Sequence, residues 1–148
     1  MIALGCDHAG YPLKIAVRTY LDSIGESYTD FGTDSEESVD YPIYAAKAAH
    51  AVADGTCKCG ILCCGTGIGI SIAANKVKGI RAAVCADAYS TEMTRKHNDA
   101  NILCMGARVL PVDQALELVK IFLETPALHE ERHIRRVGML TDIENGLL

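Results

Sequence analysis

At 148 residues and 15.9 kDa the chain has the length of one domain, spanning 1–148, and can bury roughly two thirds of its unfolded surface. Its net charge of −5 without a run of like charges argues against nucleic acid and against an anionic membrane surface, and no apolar run approaches the roughly 18 residues of a membrane span. Hydrophobic residues make up 49 % of the chain, but Trp is absent and Phe occurs only 2 times, a composition of helices packed on a sheet rather than of an aromatic-rich binding module.

In chain order, Ile2–Cys6 reads as a strand and leads into a helix over Pro12–Ser23, with Leu13, Ala16, Val17 and Tyr20 on one face. Ser27–Phe31 is a second strand. Asp40 is placed to cap a helix over Tyr41–Asp54 that Gly55 ends. Strands over Gly60–Cys64, Ile80–Cys85 and Ile102–Met105 alternate with helices over Ile68–Lys76, Tyr89–His97 and Pro111–Glu124. A last helix runs from Glu130 to Asn145, stopped by Gly146. The near-continuous apolar character of the first, third, fourth and fifth strands predicts coverage on both faces, as in a parallel sheet. The expected fold is α/β, a three-layer Rossmann-like α/β/α sandwich with a five-stranded parallel sheet and an extra C-terminal helix.

Ligands of such folds bind beyond the carboxyl ends of the strands. The first strand runs there into Asp7-His8-Ala-Gly10, the third into Cys64-Gly-Thr-Gly-Ile-Gly69, and the fourth helix ends there at His97-Asn98-Asp99. Of the 7 cysteines, Cys57, Cys59, Cys63 and Cys64 crowd around the third strand. As a metal site they fail on direction, because neighbours on a strand point to opposite faces. As a dinucleotide fingerprint the loop fails at its third glycine, where Ile70 or Ile72 stands, although Asp87 lies where a ribose-binding acid would fall. A glycine loop opening a helix after a thiol remains. Its amides can hold an anionic oxygen and favour the thiolate of Cys64.

Cys6, Cys63, Cys85 and Cys104 read as small buried hydrophobes, Cys57, Cys59 and Cys63 fall in no motif, and an odd cysteine count without a recognisable export signal points to a reducing cytoplasm. His50 reads as a solvated helix residue, and His129 and His133 as decoration of the last helix. Arg132 and Arg136, four apart on that helix, suit either a phosphate or a solvated face paired with nearby acids.

Taken together, Asp7-His8-Ala-Gly10, Asp40-Tyr-Pro42, Cys64-Gly-Thr-Gly-Ile-Gly69, Ala73-Ala-Asn-Lys76, Gly79-Ile-Arg-Ala82, His97-Asn-Asp99 and Arg132-His-x-x-Arg136 resemble the ribose-5-phosphate isomerase type B family across essentially the whole chain. The family also includes allose-6-phosphate and galactose-6-phosphate isomerases. The resemblance implies a ribose 5-phosphate–ribulose 5-phosphate isomerase of the pentose phosphate pathway, working without metal or organic cofactor. It implies Cys64 as the catalytic base, and His97, with Asp7, for opening the sugar ring. Gly65, Thr66, Gly67, Ile68 and Gly69 then face the enediolate, with Thr66 among its donors. Asp7, His8, Asn98, Arg108, Arg132 and Arg136 take substrate-binding positions, the arginines mainly on phosphate. The apolar Ile70 stands where another branch has a glutamate base, which places the chain in the cysteine branch. A homodimer is implied in which His97, Asn98 and Arg108 come from the neighbouring subunit. Pairing of dimers into tetramers, pentose against hexose preference, and a non-catalytic sugar-phosphate or nucleotide-binding module stay open on the residues alone.

Overall fold

The computed structural model describes residues 1–148. The chain runs β1 (Ile2–Cys6), α1 (Tyr11–Ile24), β2 (Tyr28–Asp30), α2 (Tyr41–Ala53), β3 (Cys59–Cys64), α3 (Ile68–Ala74), β4 (Ala82–Val84), α4 (Ala88–Asn98), β5 (Ile102–Gly106), α5 (Val112–Glu124) and α6 (Glu131–Glu144). All strand pairs are parallel, in the order β2-β1-β3-β5-β4. The predicted elements are all present, their ends shifted by a few residues.

Because successive strand residues point to opposite faces, the sheet divides the core in two. Ile2, Leu4, Cys6, Ile61, Cys63, Leu103 and Met105 pack under α1 and α5 with Leu13, Val17, Leu118 and Phe122. Ala3, Leu62, Cys64, Ile102 and Cys104 pack on the other face against Ala45, Ala48, Ala49, Ile70 and Ala74 of α2 and α3. The small residues of α2 let it lie close to β1. Ile61, Leu62 and Leu103 have at most 1 % exposure, so truncating any of them to Ala is expected to cost about 2–5 kcal/mol.

Two expectations need correction. The fourth strand is not covered on both faces: β5 inserts between β3 and β4, leaving β4 at the sheet edge with Val84 exposed. An apolar run reports only that its side chains avoid water, and an edge strand can satisfy that with one packed face. Asp40 does occupy the N-cap position of α2, but its side chain caps no N–H.

The packed face of α1 also differs from the predicted one. Lys14, not Ala16, is among its buried residues, at 1 % exposure. Its Nζ donates to the Asp30 carboxylate (Oδ1 3.1 Å, Oδ2 2.9 Å) and to the Thr33 carbonyl (2.7 Å). A buried ammonium is tolerated only with such partners, and the set ties α1 to the end of β2.

Candidate active site

The carboxyl ends of β1, β3 and β5 lie side by side, with Cys6 level with Cys63 and Cys64 level with Gly106. Asp7 follows β1, and its N–H donates to the Cys63 carbonyl (3.3 Å). Its Oδ1 accepts the Gly10 N–H (2.9 Å), which turns the chain into α1. Gly10 is required there because a Cβ would fall 2.1 Å from the Cys63 carbonyl oxygen. The close approach draws the Asp7-His8 turn up against the end of β3. His8 Nδ1 accepts the Val39 N–H (3.1 Å), which fixes its tautomer and leaves the proton on Nε2.

Cys64 is the last residue of β3 and only 5 % exposed. Its Sγ accepts the Gly67 N–H at 3.0 Å. Gly67 itself has φ +79°, and a Cβ on it would sit 2.8 Å from the Met105 carbonyl carbon, so the donor is held by a backbone turn that only glycine makes without strain. The Gly65, Thr66 and Gly69 amides have no acceptor within the chain, whereas the Ile68 N–H donates to Thr66 Oγ1 (3.2 Å). Buried sulfur and free amides therefore share one loop. The Tyr41 ring of the Asp40-Tyr-Pro42 motif lies over Gly69, where an added Cβ would come within 3.0 Å of it.

The cysteines sort by face. Cys59 and Cys63 lie with one core and Cys57 and Cys64 with the other, so the four do not converge as chelating ligands. Burial raises the Cys6 thiol to about 11 and pushes the thiols of Cys57, Cys59, Cys63, Cys85 and Cys104 upward as well. These six are held as neutral, unreactive thiols at neutral pH. Ile70 is fully buried, as the apolar side chain predicts.

Arg108 corrects an expectation. It does not travel with His97 and Asn98; its N–H donates to the Gly65 carbonyl (3.0 Å), and it lines a 410 Å³ cleft with His8, Ala9 and Glu36. It therefore belongs to the Cys64 loop of its own chain.

The remaining candidates form a second group. His97 and Asn98 end α4 and line a 280 Å³ cleft with His133 and Arg136 of α6. Arg132 is turned instead toward Glu130, 2.9 Å from its Oε2 and more than half exposed. His133 does not decorate the helix: it is 5 % exposed and stacks on His97, with ring centroids 4.6 Å apart and planes 11° from parallel.

Two side chains of this region have a part that the sequence did not assign to them. Arg81, from the Gly79-Ile-Arg-Ala82 motif, donates to the Asn98 carbonyl (3.1 Å) and the Asp99 carbonyl (2.9 Å). Arg95 donates to Asp99 Oδ1 (2.8 Å) and the Ala100 carbonyl (2.6 Å). Both place cations on the carbonyl end of α4, the favourable sign for that terminus, and lock the turn where Asp99 adopts φ +43°.

Residues 2–140 of the chain match the family described as Ribose/Galactose Isomerase. The chain belongs to that isomerase family. It is 49 % identical to the ribose-5-phosphate isomerase B of Escherichia coli (strain K12) over 144 residues, covering 97 % of this chain and 95 % of the relative. The fold superposes on the ribose-5-phosphate isomerase B structure of Clostridium thermocellum with a TM-score of 0.96 at 50 % identity, covering 99 % of both chains. It superposes on the type B ribose 5-phosphate isomerase structure of Trypanosoma cruzi with a TM-score of 0.94 at 42 % identity, covering 98 % of both. The α/β sandwich expected from the sequence is the fold of this isomerase family, and no helix of the chain is long and apolar enough to cross a membrane.

Proposed function

We propose that the protein interconverts ribose 5-phosphate and ribulose 5-phosphate as a one-domain aldose–ketose isomerase, with Cys64 as the base. The observation that carries the reading is the Cys64 Sγ accepting a loop N–H beside amides that have no other acceptor. The loop N–H holds the sulfur at the mouth of the loop, and the free donors beside it meet the oxygen on which charge develops.

The furanose opens first. His97 gives a proton to the ring oxygen while Asp7, whose Oδ2 makes no bond within the chain, takes the proton of the anomeric hydroxyl. The Cys64 thiolate then removes the C2 proton of the open aldose. The electron pair moves into the C1–C2 bond and the carbonyl oxygen becomes an enediolate oxygen, which the Gly65, Thr66 and Gly69 amides receive. Proton transfer between the oxygens and return of the carbon-bound proton from Cys64 to C1 gives the ketose. His8 Nε2–H and Arg108 hold the phosphate, which orients the sugar without reacting.

Since His97, Asn98 and Arg136 line a cleft separate from that of His8 and Arg108, the site is completed in a homodimer by the partner subunit's His97, Asn98, Arg132 and Arg136. An apolar surface supports the dimer: α6 exposes Ile134, Met139, Leu140 and Ile143, and beyond it Leu147 and Leu148 are 76 % and 69 % exposed. Seven free cysteines support a reducing, cytoplasmic setting.

The test compares kcat/KM for ribose 5-phosphate, allose 6-phosphate and galactose 6-phosphate. Ribose 5-phosphate should be turned over at least tenfold more efficiently than either hexose phosphate. Equal or better turnover of a hexose phosphate overturns the substrate assignment, and no turnover of any overturns the catalytic one.

A further inference from the structure

His133 is a buried group that the mechanism above does not use. Its Nε2 is buried without a hydrogen-bond partner, 3.9 Å from Glu130 Oε2, at 7 % side-chain exposure. Leaving a buried polar atom unpaired costs stability, so a plain apolar residue would serve packing better. What His133 does make is the parallel stack on His97. The neighbours of His97 on α4 are bonded elsewhere, Arg95 to Thr125, Asp99 and Ala100, and Lys96 to Glu92. The stack is thus what orients the His97 ring.

We infer that His133 is a positioning residue for ring opening: its flat ring fixes the plane of His97 and leaves both edge nitrogens of His97 free for the sugar. The titratable and charged groups around His133 are Lys96 and His97 of α4 and Asp99 just beyond it, His129 and Glu130 of the preceding connection, and Arg132 and Arg136 of α6. Burial, reinforced by His97, Arg132 and Arg136, holds His133 below the ordinary imidazole range. It is therefore a neutral platform, and the face of a neutral ring tolerates His97 in either protonation state, where a second cation would repel it.

This inference rests on the reading of His97 as the ring-opening group, and the experiment separates the two. D-erythrose 4-phosphate cannot form a furanose, because the hydroxyl that would close the ring carries the phosphoryl group. It needs the C2-to-C1 proton transfer but no ring opening. The full-length variants His97→Ala, His133→Leu and His133→Phe are assayed on ribose 5-phosphate and on D-erythrose 4-phosphate. With ribose 5-phosphate, His133→Leu should lose tenfold or more in kcat with KM within about threefold of the parent, and His133→Phe, which keeps a flat ring, should stay within about threefold. With erythrose 4-phosphate, His133→Leu should stay within about twofold.

Equal losses on both substrates would mean that His133 only holds α6 and its arginines in place, and the inference fails; no loss on either also overturns it. If His133→Leu does not fold by circular dichroism, His133→Asn carries the same comparison. If His97→Ala itself impairs both substrates alike, the ring-opening reading falls. Positioning of His97 then survives only if His133→Leu follows that same pattern in weaker form, with His133→Phe rescuing it.

Discussion

The Gly67 N–H donates to Cys64 Sγ at 3.0 Å, while Cys63, one residue away, sends its thiol through the opposite face of the sheet into the other core. Two adjacent cysteines thus have unrelated environments. Cys64→Ala should lower kcat by about three orders of magnitude or more with substrate still bound, since a proton-transfer group acts mainly in the transition state. Cys63→Ala should leave kcat within about twofold and cost about 1 kcal/mol of stability through a small cavity. Steady-state kinetics and denaturant unfolding check both, and similar kinetic losses in the two variants would remove Cys64 from the role of base.

Composite sites make a quantitative prediction. Mixed Cys64→Ala and His97→Ala proteins, each inactive alone, should regain activity once subunits exchange. A hybrid dimer carries one site with both defects and one with neither, so random exchange restores roughly a quarter of the parent's sites. Exchange verified by mass spectrometry with activity still at background would show that His97 serves its own chain.

Arg81 grips the carbonyls of Asn98 and Asp99 from outside the helix that carries His97. Arg81→Ala should therefore reduce kcat on ribose 5-phosphate roughly tenfold and destabilise by about 2 kcal/mol, because charge-assisted bonds to the helix end are lost. Arg81→Lys should recover less than half of that stability, since an ammonium cannot fork between two carbonyls. Full recovery by lysine would mean that charge alone matters at this position.

Lys14 sits in the core with Asp30 and the Thr33 carbonyl as its partners. Lys14→Met keeps the volume of the stem but takes the ammonium from the Thr33 carbonyl and leaves Asp30 with only Arg18 and the Gly32 N–H, at a cost of about 3 kcal/mol, which lowers Tm by roughly 10 °C for a chain of this size. Asp30→Asn in the same chain should restore part of the loss, measured by calorimetry. A single variant as stable as the parent would show that the ion pair contributes nothing net.

His133 also sets a pH dependence of stability. Its folded value lies below the unfolded value of about 6.5, so the folded state resists protonation. Its stability contribution is intact above the unfolded value and is lost as pH falls from there toward the folded one. Between pH 7 and pH 5 the Tm of the parent should fall more steeply than that of His133→Phe. Parallel slopes would show that His133 does not titrate in that window.

Local pattern made much of this molecule legible. Apolar runs and helical spacing placed every element, and the glycine loop after Cys64 announced a strand-to-helix turn with free amides, because the run of alternate glycines lies within a few residues, whereas the crowding of Gly67 by Val84 and Met105 comes from distant strands. The opposite burial of Cys63 and Cys64 followed from the two-residue period of a strand. Contacts between distant parts of the chain were decided only by the tertiary structure. β4 is an edge strand because β5 inserts beside β3, which no property of Ile80–Cys85 reveals. Arg108 joins His8 and Gly65 because β5 ends level with β3, and Arg81 reaches Asn98 across 17 residues of sequence. Lys14 and His133 are polar residues on helix faces that their composition marks as solvated. They are buried because Asp30 with Thr33 for Lys14, and His97 for His133, lie where the folded chain brings them, and a side chain's environment is set by neighbours in space rather than in sequence.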